Sequence, residues 1–127
     1  MREIKFRGFN TKNNQWLYGS HILNRGKHFV APDEFADGKT WEDYEVETET
    51  IGEFTGQKCR FGDDVYEGDI LRYPLSGKTY QVVFKDGIFW GEGKNGCGVS
   101  AHFFLSCDVI GNVFGNQGLM EKGGGHE

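Results

Sequence analysis

Four carboxylates, Asp63, Asp64, Glu67 and Asp69, fall within seven residues and form the first arrangement in this sequence that could do chemistry. Oxygen donors at that density suit a hard cation, and a pair of them suits general acid–base work. The spacing speaks against a calcium loop, which needs ligands at alternate positions, a central glycine and a closing glutamate, whereas Val65 and Tyr66 interrupt here. Gly62-Asp63-Asp64 reads instead as turn chemistry, and Asp69, following Gly68, is placed to accept hydrogen bonds from nearby backbone amides at the entry to a strand. No catalytic residue and no metal ligand set are assigned; a hydrolase using these carboxylates stands only as an alternative.

The nitrogen and sulfur ligands point the same way. His21, His28, His102 and His126 make no His-x-x-x-His pair, and Cys59, Cys97 and Cys107 make no Cys-x-x-Cys pair, so no zinc site is expected. Cys107 with His102 could form a thiol–imidazole couple, but a buried structural thiol is the more common outcome. Gly91-x-Gly93-x-x-Gly96 has the outline of a phosphate loop, a motif that works when it opens a helix aimed at phosphate. No helix follows here, so a wide β-turn is expected and no cofactor.

Aromatic residues offer another kind of site. Phe89 and Trp90 are adjacent on one extended segment, and the two-residue period of a strand sends them to opposite faces; the same holds for Val65 and Tyr66. One member of each pair therefore needs a covering lobe, a partner or a ligand. The candidate binding residues are Trp16, Tyr18, Tyr66, Glu67, Asp69 and Trp90.

The elements that must hold these residues are short strands. Ile4 and Phe6 alternate with Lys5 and Arg7, and Asn10 to Asn14 form a five-residue turn before Trp16-Leu17-Tyr18. Asn24-Arg25-Gly26-Lys27 would reverse the chain and pair His21-Ile22-Leu23 with His28-Phe29-Val30. From Pro32 an acidic passage reads as a loop of poor order. Tyr44, Val46, Thr48 and Thr50 then alternate with Glu45, Glu47 and Glu49, predicting a strand with a charged edge that discourages pairing with other chains. Asp69 to Tyr73, Thr79 to Lys85, Ile88 to Gly91 and Asp108 to Phe114 are further strands, with Asp86-Gly87 a tight hairpin turn. Ser100 to Leu105 fits either a short strand or a helical turn.

The order Ile51-Gly52-x-Phe54-Thr55-Gly56-x-Lys58, followed by Gly62-x-x-Val65-Tyr66-Glu67-Gly68-Asp69-Ile70, resembles the signature of the YopX family, small proteins of bacteriophages and prophages. Ile4-Lys5-Phe6-Arg7 and Val109-Ile110-Gly111-Asn112-Val113-Phe114 extend the resemblance over nearly the whole chain. Gln57 stands where the family usually has Leu, and Cys59 where it has Asp. The usual Asn-Gly turn is also changed at Asp63 and Asp64, which implies that those carboxylates are dispensable. The resemblance implies an SH3-type barrel in the C-terminal part and no particular activity.

The expected fold is mainly β with little helix: an N-terminal β-hairpin lobe (1–50) packed on a C-terminal SH3-like β-barrel (51–118), then a flexible tail (119–127). The expected function is that of a non-enzymatic phage- or prophage-derived accessory protein, acting through an unknown protein partner or as a homo-oligomer.

Charge separates the alternatives. Residues 1–32 carry six basic side chains against one acidic, residues 33–50 one against eight, and the remainder seven against ten. The formal net charge is −5, which disfavours a dedicated nucleic-acid binder. A module using Arg2, Lys5, Arg7, Lys12, Arg25 and Lys27 against phosphate remains the second reading. The unpaired thiols fit a reducing compartment, and no apolar run of membrane-spanning length occurs, so the bacterial host cytosol is expected and no membrane.

Overall fold

Among the described residues, alternation of apolar and polar side chains resolves into ten strands: β1 (Phe6–Asn10), β2 (Gln15–Asn24), β3 (Lys27–Ala31), β4 (Gly52–Lys58), β5 (Asp64–Tyr66), β6 (Asp69–Arg72), β7 (Thr79–Lys85), β8 (Ile88–Glu92), β9 (Gly98–Ser100) and β10 (Asp108–Asn112). The computed structural model describes residues 3–115, so the expected tail at 119–127 lies outside the described residues. Helix among the described residues is limited to 3-10 turns at Trp41–Tyr44, Thr48–Thr50, Lys94–Gly96 and Ala101–Ser106. The fold is mainly β, with two antiparallel five-stranded sheets in the orders β3-β2-β1-β4-β5 and β10-β6-β7-β8-β9. By contacts the chain divides into two compact units, one running to Phe54 and the other starting at Thr55.

In the first unit β1, β2 and β3 form a meander. Asn10 pairs with Gln15, so the first loop has four residues where the sequence predicts five. Asn24 pairs with Lys27, and Arg25 (φ 53°) and Gly26 (φ 78°) close the second hairpin in the left-handed conformation that a two-residue turn needs. Val46 sits over Gly8, where a Cβ would meet its side chain at 2.8 Å.

The strand predicted over 44–50 does not form. Glu45 makes one isolated bridge to Phe29, and 3-10 turns flank it. Side-chain hydrogen bonds capture this backbone in place of a ladder, one of them local and the others from β1. The buried Asn10 amide donates to the carbonyls of Glu42 (3.3 Å), Asp43 (3.1 Å) and Glu45 (2.8 Å). Thr50 Oγ1 donates to the Glu47 carbonyl and accepts from the Phe9 amide. The acidic passage after Pro32 is likewise fastened: Phe35 packs on Trp41 and Tyr44, and the Ala36 amide donates to the Tyr44 hydroxyl.

The second unit has a core of Cys59, Val65, Leu71, Val82, Phe104 and Cys107, all buried. Lys85 pairs with Ile88 around Asp86-Gly87, again a two-residue turn with both φ positive. Ala101–Ser106 takes the helical option and buries Phe104. The register of β10 on β6 shifts between Val109 and Gly111, a bulge at Ile110.

Candidate functional site

The six residues singled out from sequence divide between the units. Trp16 and Tyr18 lie on β2, opposite Phe9 and Arg7 of β1; the Phe9 and Trp16 rings meet edge to face at 5.4 Å, and the Arg7 guanidinium lies 4.9 Å over the Trp16 ring. Arg7 is itself buried, and Tyr18 is 53% exposed. Tyr66 and Asp69 are buried on either side of the Glu67-Gly68 turn, where the Tyr66 amide donates to Asp69 Oδ2 at 2.8 Å. Asp69 thus acts on the backbone at the strand entry. Gly68 has φ 94°, and its amide donates to the Val82 carbonyl. Of the other carboxylates, Asp63 is exposed and Asp64 accepts from Lys58 at 2.6 Å.

A polar groove of about 410 Å³ lies in the first unit, lined by Asn10, Lys12, Lys27, His28, Glu45 and Glu47 among others. Lys12 at its rim pairs with Glu42 (3.8 Å) and Asp43 (3.6 Å). The Thr40 amide, then other neighbours including Lys12, hold the Asp43 carboxyl below the usual range against a smaller effect of desolvation.

His28 belongs to a pair the sequence spacing concealed. His21 Nε2 and His28 Nδ1 are 2.8 Å apart, their ring planes are inclined by 17°, and their centroids are 5.1 Å apart. A ring nitrogen sits about 1.1 Å from its centroid, so two rings joined nitrogen to nitrogen in one line have centres about 5 Å apart. The rings therefore meet edge to edge along a straight hydrogen bond, not face to face. One nitrogen donates and the other accepts, so the pair holds a single proton between them. Burial, then the His28 charge, lowers the pKa of His21.

In the second unit Trp90 and Phe89 take opposite faces of β8, as the period requires: Phe89 is buried and Trp90 half-buried. Val65 and Tyr66, by contrast, are both buried. Trp90 pairs with Val83 of β7 and Ser100 of β9, and lines a cleft of about 270 Å³ together with Lys85, Asp86, Glu92, Gly96, Cys97 and Gly98. Where the sequence predicts a wide β-turn after β8, the chain forms a three-residue 3-10 turn, Lys94–Gly96, which offers no helix N-terminus for a phosphate.

Cys107 is fully buried and its thiol is pushed up to about 11, by burial first, then by Asp108 and Cys59. It stays protonated near neutrality and is no nucleophile. Among the described residues no three His, Cys, Asp or Glu side chains converge as a metal site. No helix there is long and apolar enough to cross a membrane. Sequence reading missed the groove and the histidine pair, although the predicted pairing of His21-Ile22-Leu23 with His28-Phe29-Val30 contained the signal.

A family model described as YopX protein matches residues 5–121. Among solved structures, the crystal structure of protein EF1440 from Enterococcus faecalis superimposes with a TM-score of 0.63 at 22% identity, covering 94% of this chain and 99% of that one. A search of curated proteins returned no match.

Proposed function

The chain belongs to the YopX protein family, and from that premise we propose that it is a non-enzymatic accessory protein of phage or prophage origin. It acts in the host cytosol through protein–protein association or self-assembly, and the open sheet of its second unit is an SH3-like arrangement. The observation that carries this reading is the row Val83, Ile88 and Trp90 on the face of β7 and β8 that turns away from the buried Phe89. Half-exposed aromatic and aliphatic side chains on one sheet face are the composition of a contact patch. The carboxylates support it from the other side, since Asp69 serves a backbone amide, Asp64 a lysine and Asp108 the Arg60 guanidinium.

Light scattering across a concentration series, with affinity capture from host lysate and chemical cross-linking, tests this reading. A mass above that of the monomer, or a cross-linked partner lost in Trp90→Ala, is expected. A strictly monomeric protein that captures nothing would overturn it.

A further inference from the structure

We propose that the Trp90 cleft is a receptor for one cationic side chain, an arginine presented by a protein partner. The proposal rests on the association reading above and names the chemistry of that contact.

The aromatic lining of the cleft is Trp90. On its Cε3 side stands Gly98, where even an added Cβ would be 3.7 Å away, so bare backbone rather than a side chain borders the ring there. Asp86, Glu92 and Lys85 line the cleft, two acidic residues against one basic. An aromatic face with a surplus of negative charge attracts a cation.

The chain already places a cation of its own there. In the register of β7 and β8, Lys85 lies opposite Ile88 and Glu92 opposite Gln81, on either side of the Val83–Trp90 pair. Their backbones are thus four residues apart along the strands, about 13 Å. Yet Lys85 Nζ approaches Glu92 Oε2 to 3.6 Å. Both side chains must lie along the sheet and meet near Trp90. This pair is solvent-exposed at both ends, 62% and 47%, and pairs of that kind hold loosely. A guanidinium is better suited to the same place, being planar, less strongly hydrated and able to stack on the indole while bonding a carboxylate with two N–H groups.

Size is consistent with a side-chain guest. At about 270 Å³ the cleft lies at the lower margin of the ~300–1,000 Å³ that small-molecule sites span. One arginine head and its methylenes fit that space.

The test uses the full chain and three short capped peptides, Gly-Arg-Gly, Gly-Lys-Gly and Gly-citrulline-Gly, followed through the indole N–H resonances, with that of Trp90 assigned by Trp90→Phe. The arginine peptide is expected to shift the Trp90 resonance saturably, the lysine peptide more weakly and the uncharged citrulline peptide not at all. Glu92→Gln should weaken arginine binding about fivefold or more, and Lys85→Ala should tighten it about threefold by removing the resident competitor. A shift equal for arginine and citrulline, or weaker binding in Lys85→Ala, overturns the proposal. If the peptides leave Trp90 unmoved while association persists in Trp90→Ala, this cleft is refuted and the association reading stands. If association is itself absent, that reading falls separately.

Discussion

His21 makes stability depend on pH in a definite direction. Its folded pKa lies below the unfolded value of 6.5, so the unfolded chain binds more protons in the interval between the two. Stability is full above about 6.5 and declines as pH falls through that interval. The urea midpoint should hold steady from pH 8 to 7 and drop below 6.5, and His21→Gln should flatten the drop. Identical slopes in the two proteins would sever the link to this residue. A second proton would place N–H against N–H at the His21–His28 contact, which steepens the loss. Asp108, held low chiefly by its Arg60 hydrogen bond, depends on pH in a separate window and in the same direction, losing its contribution below about 4. Asp69→Ala, which strands the buried Tyr66 amide, should cost about 1–3 kcal/mol in chemical denaturation. The role of Asp69 was readable from Gly68-Asp69 because turn chemistry is local. The histidine pair was only implicit in the predicted pairing of His21-Ile22-Leu23 with His28-Phe29-Val30, because the register sets His21 opposite Val30 and His28 opposite Leu23, and the ring contact is diagonal.

Elements were legible where the turns are self-sufficient. Asp86-Gly87 and Arg25-Gly26 hold two positive φ values in succession and close hairpins without outside help. The 44–50 segment failed because its alternation is overridden by Asn10, a residue more than thirty positions upstream that takes the Glu45 carbonyl inside the segment and those of Glu42 and Asp43 just before it. Asn10→Ala should therefore loosen residues 42–48, visible as faster amide exchange at Val46 and Glu47 with β6 and β7 unchanged. Gly8 contributes by what it lacks. Gly8→Ala would drive a Cβ into Val46, and overpacking of this kind costs about 1–3 kcal/mol. Val46→Ala should relieve part of that cost, so that a double-mutant cycle gives a favourable coupling; simple additivity would show that the two side chains do not compete for one space.

At the scale of the whole molecule, length, aromatic content and strand spacing were enough to indicate a β protein, and the family islands to indicate its relatives. The division between units was harder to see, because it falls between Phe54 and Thr55, within β4, and a continuous strand carries no linker composition. The three thiols report on the fold as a whole. Cys97 is exposed while Cys59 and Cys107 are buried, so a thiol reagent should titrate one group in the native protein and three in denaturant. More than one fast-reacting thiol in the native state would contradict this packing. The bulge at Ile110 bears on what the margins of the second sheet offer to another molecule. The second sheet ends in β10, kinked at that bulge, and in β9, only three residues long. Neither margin gives a neighbouring molecule a straight row of amides and carbonyls to extend. Assembly by adding strands into fibres is thereby discouraged, and the association proposed above would fall to side chains on the faces, where it can be selective and reversible.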